Sequence, residues 1–159
     1  MEEILEILEK NSKLSEEEIA VMAGKTVGEV KAAIKEYEDS NVIVGYTTLI
    51  NWENTSRETV TALIEVKVTP QRGEGFDKVA ERIYRFPEVK ACYLMSGGFD
   101  LTVIVEGKTM KEVALFVAEK LAVQESVLSC ATHFVLKKYK DKGTIFEEKP
   151  TDDREAIFI

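Results

Sequence analysis

Ser96-Gly97-Gly98-Phe99-Asp100 is the stretch of this 159-residue chain with the most evident chemistry. Two adjacent glycines let a ligand approach backbone N–H groups closely, and such groups suit a carboxylate. Asp100 beside them could receive an ammonium group or could cap the turn on which it sits. The same five residues also read as an ordinary hairpin turn, with glycine supplying positive φ and aspartate a local hydrogen bond. A second set of groups is suited to phosphate. Lys25, Thr26 and Gly28 stand at a helix start, and Lys31 and Lys35 lie within that helix; helix N-termini and ammonium groups both attract phosphate.

Other reactive side chains are sparse. Cys92 and Cys130 lie in β-like runs without C-x-x-C spacing. They read as buried thiols in a reducing compartment, with no zinc site and no redox pair. His133 stands in the β run ATHFV, where a satisfied strand histidine fits better than a catalytic base. No G-x-S-x-G, phosphate-loop or dinucleotide glycine pattern occurs. The expectation is therefore no enzyme, no cofactor and no metal.

Positioning these groups requires two kinds of element. Ile4, Leu5, Ile7 and Leu8 recur at helical spacing opposite Glu2, Glu3, Glu6 and Glu9. Ser15 with Glu18, and Thr26 with Glu29, are two capping boxes that predict helix starts. Gly24 between them suits a helix C-terminus. The third helix runs toward Asp39-Ser40-Asn41, with Val30, Ala33, Ile34 and Tyr37 inward. Three short helices, the last two joined by a tight glycine turn, make a helix-turn-helix.

From Val42 to Ile50 the chain becomes β-branched and aromatic, which predicts an extended hairpin or linking strand with Gly45 at a turn or bulge. Asn51 to Glu58 is polar and marks a linker. Then follow a strand over 59–68 with Ala62, Ile64, Val66 and Val68 on one face, and a helix over 76–86 stopped by Pro87. Strands over 89–95 and 101–105 flank the Ser96–Phe99 turn. A helix over 109–122 turns Met110, Val113, Ala114, Val117 and Leu121 inward, and a last β run covers 127–136. This β-α-β-β-α-β order is the ferredoxin-like plan, with two helices on one face of an antiparallel sheet and the other face free for self-association. The predicted domains are 1–50, a linker at 51–58, 59–140, and an acidic tail at 141–159. That tail ends in Ile157, Phe158 and Ile159, read either as disordered or as a docking segment.

Composition fits a globular chain, at 45% hydrophobic and 31% charged residues. The N-terminal MEEILEILEK is acidic and unlike a secretory leader. No apolar run nears the roughly 18 residues of a membrane span, so the cytoplasm is expected and no membrane partner. The net charge of −8 is uneven: residues 1–50 carry five Lys and Arg against eleven Asp and Glu. That excess of acid opposes phosphate binding by the helix-turn-helix.

These pieces, in this order, resemble the Lrp/AsnC (feast/famine) regulators over roughly residues 1–140. The specific pieces are Glu38, Val42, Ile43, Gly45 and Tyr46, spaced E-x-x-x-V-I-x-G-Y, and the G-x-x-D turn of Gly97 and Asp100. The resemblance implies an α+β chain: a winged-helix-like helix-turn-helix followed by a ferredoxin-like βαββαβ domain, called RAM. It implies a DNA-binding transcription regulator whose third helix enters the major groove, with Lys25, Thr26, Gly28, Lys31 and Lys35 as the DNA-binding residues. It implies an amino acid or related small metabolite as effector, bound by Met95, Ser96, Gly97, Gly98 and Asp100, with Ser129 and Thr132 on the last strand. It also implies homodimers, paired through the strand after the third helix, that assemble into higher even-numbered oligomers such as octamers.

Two departures stand out. Ala32 and Ala33 occupy positions where the family often has arginine, and alanine reaches neither a base edge nor a phosphate. Asn41 stands where glycine is common, a milder change because Asn tolerates left-handed φ. Two alternatives remain open: an effector-binding, oligomeric interaction protein that has lost specific DNA binding, and an enzyme resembling the tetrapyrrole decarboxylases of the same plan. A single histidine and an acidic N-terminal module match the latter poorly.

Overall fold

The computed structural model describes residues 2–69, 73 and 75–146, which divide into two compact units, 1–50 and 51–159. Unit 1 holds three helices, α1 (Glu2–Lys10), α2 (Glu16–Ala23) and α3 (Val27–Asp39). Both capping boxes form. Ser15 and Thr26 accept the backbone N–H of Glu18 and Glu29, and each glutamate accepts the N–H of its cap residue in return. Gly24 ends α2 in the left-handed conformation (φ 61°). Ile4, Ile7, Leu8, Ile19, Ala20, Val30 and Ala33 form the buried core, with Ile34, Tyr37 and Ile43 packed against it.

The stretch after α3 departs from the strand expected there. Residues 44–50 form no helix or strand and pair with no strand among the described residues. Two anchors hold its start. The N–H groups of Val42 and Ile43 donate to the Tyr37 carbonyl, and the Tyr46 hydroxyl donates to Glu38 Oε1 at 2.9 Å. Burial, and then the Glu38 carboxylate, push the Tyr46 phenol above its ordinary pKa. The E-x-x-x-V-I-x-G-Y spacing is thus a local clasp. Asn41 makes the reversal with φ 59°, the conformation that glycine or asparagine accepts best.

Unit 2 is built on β1 (Val60–Val68), α4 (Gly75–Tyr84), β2 (Val89–Leu94), β3 (Leu101–Gly107), α5 (Met110–Phe116) and β4 (Val127–Phe134). The strands form one antiparallel sheet in the order β2-β3-β1-β4, the ferredoxin-like arrangement, with a register shift opposite Lys67 and Val68 that leaves Leu128 of β4 unpaired. Strand alternation sends Ala62, Ile64, Val66, Leu101, Val103 and Val105 to the helix-covered face, where they pack with Val79, Ile83, Val113, Phe116 and Leu121.

The second helix of this unit is not uniformly α. After Phe116 it widens into a π turn over Val117–Leu121, closed by the Ala122 N–H on the Val117 carbonyl. The buried face of the preceding α turns runs through Val113 and Phe116, so Met110 and Ala114, expected inward, are exposed, while Phe116 is buried and meets Phe86 edge-on at 5.6 Å. Cys92 and Cys130 are part-buried at opposite edges of the sheet, and burial pushes both thiols up. A hairpin of two-residue strands, β5 (Lys140–Asp141) and β6 (Thr144–Ile145), follows β4 at the start of the segment read as an acidic tail. The apolar end Ile157–Ile159 lies outside the described residues. Among the described residues, no helix is long and apolar enough to cross a membrane.

Candidate functional site

The outer face of α3 is the first candidate surface. Val30 and Ala33 turn inward, so the helical period leaves Gly28, Lys31, Ala32 and Lys35 outward. Ala33 is only 2% exposed and belongs to the core; an arginine there would have no route to a base. Of the two alanines expected to weaken recognition, only Ala32 stands where DNA contact is possible. Thr26 is less available than its position suggests. Its hydroxyl donates to Glu29 Oε2 at 2.7 Å and accepts the Glu29 N–H at 3.3 Å. The Glu29 carboxylate also takes the Thr26 N–H at 2.8 Å. These bonds hold the Glu29 carboxyl below the usual range. The capping box therefore fills the mouth of α3 with its own anion. Lys31, Lys35, the half-exposed Lys25 and the bare backbone at Gly28 are what remain for phosphate.

The Met95–Asp100 turn is the second. Met95, Ser96, Gly97 and Gly98 are exposed, and Gly97 has φ 126°, which glycine alone adopts readily. Asp100 is not an idle carboxylate. Its Oδ2 accepts the Val68 N–H at 2.8 Å, its own N–H donates to the Val66 carbonyl, and its carbonyl accepts the Met95 N–H. β3 begins at Leu101, opposite Val66, so the Val68 N–H lies past the end of that strand, and Asp100 supplies the acceptor. Asp100→Ala is expected to cost about 1–3 kcal/mol of stability in the absence of any ligand, since it orphans that part-buried donor. Chemical denaturation measures this; an unchanged midpoint would release Asp100 from the structural role.

Ser129 and Thr132 do not share a surface. Ser129 pairs with Lys67 on the open face, beside the end of β1 that also carries Asp100. Thr132 pairs with Ile64 and faces the helices. A spacing of three in a strand always separates faces, so the period of two already held this signal. The open face itself carries two adjacent rows: Tyr93, Thr102, Glu65 and Ala131, then Ala91, Ile104, Leu63 and His133. His133 Nε2 lies 3.6 Å from Glu65 Oε1.

Three small helices that present a lysine-bearing outer face, followed by a sheet domain with an exposed glycine turn, define a DNA-binding module joined to a ligand-binding one. The comparisons with known proteins agree. Residues 61–145 match the model described as the Lrp/AsnC ligand binding domain, and residues 2–44 match winged helix-turn-helix DNA-binding. The chain belongs to the Lrp/AsnC family, and it is a DNA-binding transcriptional regulator with a ligand-binding domain. It is 54% identical over 156 residues to the uncharacterized HTH-type transcriptional regulator YugG of Bacillus subtilis, covering 98% of this chain and 94% of that one. It is 22% identical over 140 residues to the proline dehydrogenase transcriptional activator of Rhizobium radiobacter, covering 88% and 89%. In fold it is similar to the Neisseria meningitidis regulator NMB0573, solved with L-Met, at TM-score 0.72 and 23% identity, covering 87% of this chain and 89% of that one. These relatives are regulators, not enzymes.

Proposed function

We propose that this regulator senses an amino acid or a related small metabolite and works in the cytoplasm as a dimer that assembles further into even-numbered oligomers, an octamer among them. The observation that carries the reading is the pairing of an exposed Gly97-Gly98 backbone with a sheet face that no element among the described residues of this unit covers. Leu63 and Ile104 form an apolar pair on the two central strands of that face, with Glu65 beside them and Tyr93 and His133 on the edge strands. The unpaired Val42–Ile50 segment leaves Val42, Val44, Tyr46, Leu49 and Ile50 exposed, which suits strand pairing with a second copy. The effector site comprises Met95, Ser96, Gly97, Gly98 and Asp100, with Ser129 across β1. Thr132, on the helix-covered face, is left out of this reading. DNA is held through Lys25, Gly28, Lys31 and Lys35, with the Thr26 hydroxyl committed to its cap. An NMB0573 complex with L-Met supports the choice of ligand class.

Three measurements on the full chain test this. Light scattering coupled to size exclusion is expected to return an even multiple of the monomer mass. Fluorescence anisotropy on the DNA upstream of its own reading frame is expected to show binding that weakens steeply between about 50 and 200 mM salt. Thermal unfolding is expected to rise with at least one standard amino acid, by about 2.7 kcal/mol at a hundred times its Kd. A monomer, or an absence of DNA binding at low salt by a confirmed oligomer, overturns the corresponding half.

A further inference from the structure

We propose that the ligand-binding domain holds a second small-molecule site, a mixed-charge cleft at the end of the sheet away from the Met95–Asp100 turn, which takes the charged head of a free α-amino acid. The inference rests on the proposed amino-acid sensing but not on the turn as its location.

The cleft has a volume of about 500 Å³ and lies between Ser56–Thr59, just before β1, and Glu106–Lys108 at the end of β3, with Lys90 and Glu112 at its sides. Volumes of this order, roughly 300–1,000 Å³, are those of small-molecule sites. Its charges are matched, Arg57, Lys90 and Lys108 against Glu58, Glu106 and Glu112. Some of this charge is already committed. Lys90 Nζ donates to the Pro87 carbonyl at 3.0 Å, and Glu112 Oε2 accepts the Lys108 backbone N–H at 2.5 Å.

The others are not. The Arg57 guanidinium lies 4.3 Å over the Trp52 ring, which fixes its plane while leaving its N–H donors without acceptors among the described residues. The side chains of Lys108, Glu58 and Glu106 likewise make no hydrogen bond or ion pair there. Thr59 Oγ1 is closed to solvent and has no hydrogen-bond partner among the described residues. Gly107 keeps the wall thin. A Cβ at that position would meet Val113 Cγ2 at 3.0 Å and Glu112 Oε2 at 3.3 Å.

What this leaves around one cavity is two uncommitted cations, two uncommitted carboxylates and a shielded hydroxyl. An inorganic anion would meet the carboxylates as well as the cations, and a simple amine would meet the cations. A zwitterion matches both: its carboxylate suits the planar Arg57 fork or Lys108, and its ammonium suits Glu106 or Glu58. Ser56–Thr59 end the linker that follows unit 1, so a ligand held between them and Glu106–Lys108 fastens that linker to the sheet.

The test is thermal unfolding of the full-length protein with each of the twenty standard L-amino acids at about 10 mM, well above a Kd of ordinary metabolite range. At least one is expected to raise Tm. Glu106→Gln and Lys108→Ala are each expected to cut that rise to what the Met95–Asp100 turn alone contributes, with little change in the ligand-free Tm because neither side chain makes a bond that the fold uses. Lys111→Ala, an exposed side chain on α5 outside both the turn and the cleft, is expected to leave the rise intact. The methyl ester and the N-acetyl derivative of the responding amino acid, which lack one charge each, are expected to give none. A rise undiminished in both cleft variants overturns this inference and leaves the turn as the effector site. Loss in all three variants overturns the claim of a separate site. No rise with any amino acid overturns both this inference and the sensing proposal.

Discussion

Ile64→Ala is expected to destabilise the ligand-binding domain by about 3–4 kcal/mol, and no other single truncation on this sheet should cost more. Ile64 is 0% exposed in the middle of β1, between Val103 on β3 and Thr132 on β4, under α4 and α5. Because β1 is a central strand, hydrogen-bonded on both sides, it cannot shift to fill the space left by three lost carbons. The upper half of the Ile→Ala range, about 2–5 kcal/mol, therefore applies. Small domains are stable by only about 5–15 kcal/mol in total, so the urea midpoint should fall by roughly 2–3 M at an ordinary denaturant slope. Leu63→Ala, one residue along but on the open face, is the informative control. In a monomer it should cost little, whereas in a dimer sealed through that face its cost should grow with protein concentration. A loss below about 1 kcal/mol at Ile64 would show that the core lies elsewhere.

The second large effect concerns DNA. Lys31→Glu with Lys35→Glu is expected to lower affinity at least about a hundredfold and to reduce the salt slope by about 2. Each lost phosphate contact removes about 0.9 of slope, and the reversed charges add repulsion to the loss. The protein has little in reserve. Unit 1 contains no arginine and only five lysines, two of which sit on or beside α1. Those two, Lys10 and Lys13, make the control: reversing them changes net charge identically but leaves the α3 face untouched. If the Lys10 and Lys13 reversal weakens binding as much as that of Lys31 and Lys35, the effect is net charge alone and α3 is not the contacting helix. Ala32→Arg in the same assay should strengthen binding, since an outward arginine there can reach base edges or phosphate. No such gain is available at the buried Ala33.

Much of this architecture was legible beforehand because it rests on local rules. Ser15 with Glu18 and Thr26 with Glu29 announce helix starts through groups at most three residues apart, and both boxes form. Alternation in β1 announces its buried face in the same way. Even Ala33 was legible: the period that turned Val30 inward turned Ala33 inward too, whatever the family pattern places there.

The Gly97–Asp100 turn shows where local reading ended. From sequence alone, Gly97 and Gly98 announce a turn with bare backbone, and Asp100 a carboxylate beside it; the turn forms and Gly97 takes the positive φ it promised. That Asp100 is committed to Val68 could not be read, because the bond spans 32 residues and exists only once β1 pairs with β3. The cleft of Arg57, Glu106 and Lys108 was hidden for the same reason, since its walls meet only when Val60 pairs with Gly107. The sequence by itself determined the elements, their caps and their buried faces, all set by neighbours a few residues away. Which polar groups are spent and which remain free for a ligand was decided by tertiary structure, because long-range pairing alone brings their partners within reach.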